Sequence, residues 1–285
     1  MRFGCQLPQD LDFGRLVEAA KNCERLGYDS LWVYDHISPF WLRSGRGLEC
    51  WTTLSAIAGC TNTVKVGSLV TNILLRNPSL LAKMSSTVDN ISGGRLILGL
   101  GTGDKMSRKE LNSYGYEFPG LNERMERLRE SILILKALWT KDKVSFHGRH
   151  YKISKAVNVP KPIQRPHPPI WIGGKHPRIL DIVAEFADGW NYWGLRKDEL
   201  KRRSSYLGKK CAEFGRNPGS IVKSWSGTIR RLGRPTRSYS ELVESMSRNL
   251  LKQTDPETQY FIGSFDSRAE QESYQAFADA VKRLD

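Results

Sequence analysis

Short apolar runs alternate with helix-periodic segments along nearly the whole chain, roughly every 30 residues. This alternation limits the available folds more than any other feature. The run Arg2-Phe3-Gly4-Cys5-Gln6-Leu7 is stopped by Pro8. Phe13, Leu16, Val17, Ala20, Cys23 and Leu26 then recur at helical spacing until Gly27. Strand-like runs follow at 30–34, 64–70, 96–100, 169–173, 189–193, 221–229 and 259–262. Helical patterns fill the intervals at 52–60, 78–91, 121–139, 177–187, 197–214, 238–252 and 268–283, and Asn77-Pro78 supplies an N-cap and first-turn pair. Nearly continuous apolar strands alternating with helices demand a parallel sheet covered on both faces, joined by right-handed crossovers. Eight such units predict an α/β fold, a (β/α)8 TIM barrel, with a doubly wound open sheet as the alternative. Residues 104–168 are too long for a simple crossover and read as an insertion between strands 4 and 5, with a hairpin near 144–151. No linker divides the 285 residues, so residues 1–285 read as a single barrel domain.

Composition narrows the function classes. The longest apolar runs, such as 132–135, fall far short of the roughly 20 residues a membrane helix needs. No apolar signal core occupies the first 30 residues, so a cytoplasmic protein is expected. Cys5, Cys23, Cys50, Cys60 and Cys211 lack pairing or C-x-x-C spacing, and they read as reduced, mostly buried thiols. Lys and Arg number 44 against 30 acidic residues, a net charge of +14. The excess clusters at 197–203 and in Arg230-Arg231-Leu232-Gly233-Arg234 without interleaved aromatic rings, unlike a single-strand nucleic-acid groove. Solvated faces and attraction of an anionic small molecule are the readings that remain.

In a barrel, function gathers at the C-terminal ends of the strands. Those ends carry Tyr34-Asp35-His36, Thr71-Asn72, Gly99-Leu100-Gly101-Thr102-Gly103-Asp104, Gly173-Gly174-Lys175 and Asn191-Tyr192-Trp193. His36 can exchange a proton near neutral pH, and Asp35 beside it can orient a ring or ligand. Asp104 is either an acid/base carboxylate or a solvated loop residue. Gly173-Gly174-Lys175 ahead of a helix can admit a phosphate, or can be a plain turn. His147, His150 and His167 lack the carboxylate or cysteine neighbours of a metal site, and no metal is expected.

These residues carry a resemblance. Tyr34-Asp35-His36, Glu49-Cys50-Trp51-Thr52, Val66-Gly67-Ser68-Leu69-Val70-Thr71-Asn72, Arg76-Asn77-Pro78-Ser79-Leu80, Ser92-Gly93-Gly94-Arg95, Pro168-Pro169-Ile170-Trp171-Ile172-Gly173-Gly174 and Ala187-Asp188-Gly189-Trp190 occur in one order and spacing. Together the chain resembles the luciferase-like monooxygenase superfamily, in its branch using the deazaflavin coenzyme F420. The resemblance implies a barrel with the cofactor across its C-terminal rim. It implies His36 and Asp104 as catalytic residues. Asp35, Leu69, Val70, Asn72, Gly103, Ser107, Gly173, Gly174 and Lys175 are implied as cofactor contacts. It also implies a non-proline cis peptide at Leu69–Val70, with Ser68–Leu69 as the other register. Sugar-phosphate dehydrogenases of this family carry glutamate at the Asp104 position and tryptophan at the Phe40 position, although Trp41 is adjacent. The resemblance therefore carries the family and not that substrate.

The expectation is an F420-dependent oxidoreductase passing a hydride between a small-molecule substrate and the cofactor. An FMN-dependent monooxygenase of the same superfamily is the alternative. A non-catalytic basic protein that binds nucleic acid or acts as a scaffold is the second, and it leaves the rim residues unexplained. Neither nucleic acid nor a membrane is expected as a partner, and a homodimer is left open.

Overall fold

The computed structural model describes residues 1–38, 46–229 and 238–284. Phe40, Trp41 and the basic run from Arg230 to Arg234 lie outside the described residues. The apolar runs become strands of one parallel sheet: β1 (Arg2–Gln6), β2 (Ser30–Val33), β3 (Lys65–Ser68), β4 (Thr71–Asn72) and β5 (Leu96–Gly101), followed later in the chain by β8 (Ile170–Gly173), β9 (Gly189–Tyr192), β10 (Val222–Thr228) and β11 (Tyr260–Ser264). β1 pairs with β2 at Cys5↔Leu31 and with β11 at Phe3↔Phe261. Pairing of β3 with β5 at Val66↔Leu96 completes the circuit. A ring with no free edge is a barrel, so the open-sheet alternative is excluded.

The third strand is interrupted. β3 stops at Ser68, the Leu69–Val70 peptide is cis as the resemblance implies, and β4 resumes at Thr71. Both pieces pair with β5, at Val66↔Leu96 and at Thr71↔Leu100. Five steps along the third strand thus face four along β5, which is a one-residue bulge. Val70 fills space that two glycines leave open. A Cβ on Gly101 would stand 2.4 Å from Val70 Cγ2, and one on Gly173 would stand 2.9 Å from Val70 Cγ1. Gly101→Ala is therefore expected to cost about 1–3 kcal/mol by overpacking. Adding Val70→Ala should recover part of that loss, and urea unfolding of the single and double variants reads both. A double variant that loses the full sum would contradict the packing account.

The helices follow their sequence signals. α1 (Phe13–Arg25) is capped by Asp12, and α2 (Cys50–Cys60) starts two residues before the expected 52, because Glu49 caps it by accepting the Thr52 N–H. Asn77 and Pro78 open α3 (Pro78–Ile91) as expected. Within residues 104–168 lie α4 (Lys105–Ser113), α5 (Leu121–Thr140), and an antiparallel hairpin of β6 (Val144–His147) and β7 (Lys152–Ala156). α5 packs between α3 and α6 (Pro177–Phe186), the place of a crossover helix, through Leu128, Ile132, Leu135 and other buried residues. The elements added to the simple βα repeat are α4 and the hairpin. Glu130 holds the hairpin by accepting the N–H groups of Arg149, His150 and Tyr151. α7 (Lys197–Glu213), α8 (Tyr239–Gln253) and α9 (Gln271–Lys282) complete the outer layer. On α7 the basic run is a solvated face carrying Arg202–Asp198 and Arg203–Glu199 pairs one turn apart.

Inside the barrel, Trp32, Trp171 and Tyr260 interlock with Ile97 and Ile262. Trp32 and Trp171 have ring centroids 5.1 Å apart, and Trp171 meets Tyr260 edge-on at 5.2 Å. Ser30 Oγ accepts both the Trp32 indole N–H and the Tyr260 hydroxyl, so these two buried polar ends are satisfied. All five cysteines are free thiols, four of them buried. Among the described residues no helix is long and apolar enough to cross a membrane.

Candidate active site

The ends of β2, the third strand, β5, β8 and β9 open into a cavity of about 630 Å³. It is lined by His36 and Asp35 after β2, by Leu69, Val70 and Asn72 at the bulge, and by Gly101 to Asp104 after β5. Ser107 on α4 and Gly173, Gly174 and Lys175 after β8 complete the set that the sequence pointed to, with Asn191 and Trp193 from the β9 end. Every site residue expected from the sequence therefore faces the same cavity, although several use their polar atoms on the protein itself.

Asp35 is fully buried and acts as a brace. Its carboxylate receives Arg76 Nη1 at 2.6 Å and Nη2 at 3.0 Å, and the Asn72 N–H at 2.9 Å. Burial lifts the Asp35 carboxyl above its ordinary range, against the pull of Arg76; on Arg76 the attraction of Asp35 outweighs burial, so its pKa is raised too. The geometry settles the state of the pair, because both Asp35 oxygens accept hydrogen bonds, as an ionised carboxylate does. Arg76 also reaches Glu49 Oε1 at 2.7 Å. This network ties the β2 end to the bulge and fixes the backbone on which His36 sits.

His36 is part-exposed, and its Nδ1 lies 2.7 Å from Glu110 Oε2. Glu110, on α4, is buried and also accepts the Ser38 N–H at 2.6 Å.

Asp104 is the N-cap of α4. Its Oδ1 accepts the N–H groups of Met106 and Ser107, each at 2.9 Å, and Ser107 Oγ accepts the Asp104 N–H at 3.2 Å. This reciprocal capping box accounts for Asp104 and for Ser107. Asp104→Ala is expected to cost about 1 kcal/mol of stability. Asp104→Asn should cost much less, since its amide oxygen still accepts. Equal losses in urea unfolding would contradict the capping role.

The Gly173-Gly174-Lys175 turn is similarly occupied. The Gly174 N–H donates to Asn191 O at 3.0 Å, and Gly174 O accepts the Trp190 indole N–H at 2.7 Å. An anion entering here would meet Lys175, whose Nζ lies 5.5 Å from the Trp193 ring centroid, and the N-terminal end of α6. Arg124, which the sequence reading missed, adds a second fixed cation to the lining. It donates to Thr102 O and Gly103 O at 2.9 and 2.7 Å and stacks on Phe118 at 4.1 Å. Burial lowers its pKa, and nearby Asp104 offsets part of that. Lys105 lines the same cavity. Gln6 was also missed; its Nε2 lies 3.5 Å from Leu69 O.

The three histidines of residues 104–168 do not converge on a metal centre. His150 Nε2 contacts Glu126 at 2.8 Å and His167 stacks near Trp139. Among the described residues no group of three or more His, Cys, Asp or Glu side chains is arranged to hold a metal.

The chain is similar to known proteins in sequence and in fold. An F420-dependent glucose-6-phosphate dehydrogenase of Amycolatopsis mediterranei is 35% identical over 176 residues, 61% of this chain and 52% of its own length. An F420-dependent hydroxymycolic acid dehydrogenase of Mycobacterium tuberculosis is 28% identical over 210 residues, 73% of this chain and 57% of its own. The chain thus spans about half the length of the curated relatives it matches. A solved F420-dependent secondary alcohol dehydrogenase, in complex with an F420–acetone adduct, shares the fold. Its TM-score is 0.84 at 17% identity, over 100% of this chain and 99% of that one. The family model for luciferase-like monooxygenases matches residues 1–230. A match over that much of the barrel shows that the chain belongs to the luciferase-like monooxygenase family.

Proposed function

We propose that this protein is an F420-dependent oxidoreductase acting on a small organic substrate. The observation that carries the reading is a cavity combining three parts: an apolar shelf, a histidine and a set of cations. The shelf is Leu69 and Val70, the histidine is His36, and the cations are Lys105, Arg124 and Lys175. The relatives named above as F420-dependent support the choice of cofactor.

The residues present fit a deazaflavin. Its ring is flat and largely apolar, and its tail carries phosphate and carboxylate groups. A cavity of about 630 Å³ lies within the range of roughly 300–1,000 Å³ usual for small-molecule sites. Val70, locked between Gly101 and Gly173, gives the shelf a fixed position, and the cations suit an anionic tail. Leu69, Val70, Asn72 and Gly103 would hold the ring region, and Lys175 with the Gly173–Gly174 turn the phosphate region. When bound, the deazaflavin supplies hydride acceptance and donation.

The chain's own residues do the rest. His36 moves the substrate's proton at a ring nitrogen as the substrate carbon changes oxidation state. Asp35, through Arg76 and Asn72, keeps the bulge and the β2 end in fixed relation. Asp104 orders the start of α4, from which Glu110 reaches His36. The plug of Trp32, Trp171 and Tyr260 closes the barrel floor beneath the cavity.

Fluorescence titration of the purified protein tests the cofactor. The chain has eight tryptophans, and Trp193 lines the cavity. Saturable quenching by F420 and weaker binding of FMN is the expected result. Preferential binding of FMN would move the assignment to a monooxygenase, and binding of neither would overturn it.

A further inference from the structure

We propose that Glu110 is a positioning residue for His36, one that fixes which ring nitrogen carries the proton. The inference rests on the assignment of His36 to proton transfer given above, although its main test does not require the cofactor.

The Glu110 side chain is only 2% exposed and both its oxygens are used: Oε1 accepts the Ser38 N–H at 2.6 Å, and Oε2 lies 2.7 Å from His36 Nδ1. An ionised carboxylate has no proton to give. In the proposed arrangement Glu110 is the carboxylate, the proton between it and His36 belongs to Nδ1, and Nε2 is the acceptor nitrogen of the neutral ring. A contact of 2.7 Å between these groups is a charge-assisted hydrogen bond, which restrains ring orientation as well as tautomer. A base oriented by a third group in this way is a recurring arrangement in proton-transfer sites. The Ser38 bond matters as much. It fixes the carboxylate from the backbone just past His36, so α4 and the β2 end hold the ring between them.

This use of Glu110 also gives α4 a purpose. The helix is an addition to the basic βα repeat. Its N-terminus is ordered by the Asp104–Ser107 box, and Glu110 sits one turn further on. An added helix capped at the cavity thus delivers a buried carboxylate from the end of β5 to a histidine at the end of β2, across the interrupted third strand that lies between them.

The test is 15N NMR of the His36 imidazole in the cofactor-free protein, recorded where the ring is neutral, with His36→Gln used to assign the resonance. The wild-type ring is expected to carry its proton on Nδ1. Glu110→Gln keeps the shape of the side chain but turns one acceptor into a donor. The amide oxygen can serve Ser38 or His36, not both. When it serves the Ser38 N–H, the NH2 faces Nδ1 and forces the proton onto Nε2. The variant should therefore show a marked shift of population toward the Nε2–H form. Its kcat should fall by about 10–100-fold, part of the 10²–10⁴ a general acid–base group contributes. F420 affinity should change less than about two-fold, which separates positioning from a general loss of structure. A wild-type ring protonated on Nε2 overturns the proposal without any variant. So does an unchanged tautomer in folded Glu110→Gln protein. If F420 fails to bind while the tautomer result holds, the functional assignment falls and the Glu110–His36 pairing stands.

Discussion

Replacing His36 with alanine is expected to lower kcat by on the order of 10²–10⁴-fold, with much less change in cofactor affinity. The size follows from its place. His36 is a titratable ring in the cavity wall, held by a buried carboxylate, and it stands at a strand end beside the Leu69–Val70 shelf. Removing the ring takes away a proton-transfer group and leaves the shelf and the cations of the cavity in place. Steady-state kinetics with a fluorescence titration on the same preparation separates the two effects. Wild-type turnover in the variant would remove His36 from the mechanism.

Arg76→Leu should be the most destabilising single change in the site, by about 3–5 kcal/mol, because it strands Asp35 in the interior. Asp35 has a side chain only 2% exposed, and without Arg76 it keeps a single hydrogen bond, from the Asn72 N–H. Burial already lifts the Asp35 carboxyl, and loss of Arg76 removes most of what opposes that lift, leaving only the Asn72 N–H. The folded variant therefore holds the proton more tightly than the unfolded chain does. Stability from such a raised carboxyl is fully present below the unfolded value of about 3.9 and is lost as pH rises through the folded value. The deficit against wild type should be largest at neutral pH and should shrink toward pH 4. Arg76→Leu combined with Asp35→Leu should lose less than Arg76→Leu alone, since no buried charge remains. Urea unfolding across pH measures all three proteins. A deficit in Arg76→Leu that grows on acidification would contradict the account.

The strands and helices were legible because burial on both faces writes itself as apolar runs, and a cap writes itself as Asn77-Pro78. The rim was legible too, since barrel geometry sends every strand end the same way. Local sequence does not encode which atoms a rim residue spends on its neighbours. Gly173 read as room for a turn or a phosphate, whereas the structure shows Gly173 and Gly101 making room for Val70, which comes from another strand. Asp104 read as a possible acid; the Asp104-x-x-Ser107 spacing was itself the capping signal. The partners of Asp35 and His36 lie 41 and 74 residues away, in Arg76 and Glu110. No periodicity links such pairs, so only the closed barrel reveals them. The long stretch after β5 read as an insertion because α5, its crossover helix, follows the extra helix α4.

A crystal structure of the protein with F420 bound tests the central claim most directly. The account predicts the deazaflavin ring against Leu69 and Val70 with His36 beside it, and the phosphate near Lys175. F420 bound elsewhere on the molecule, or a cavity that stays empty at saturating F420, would contradict it.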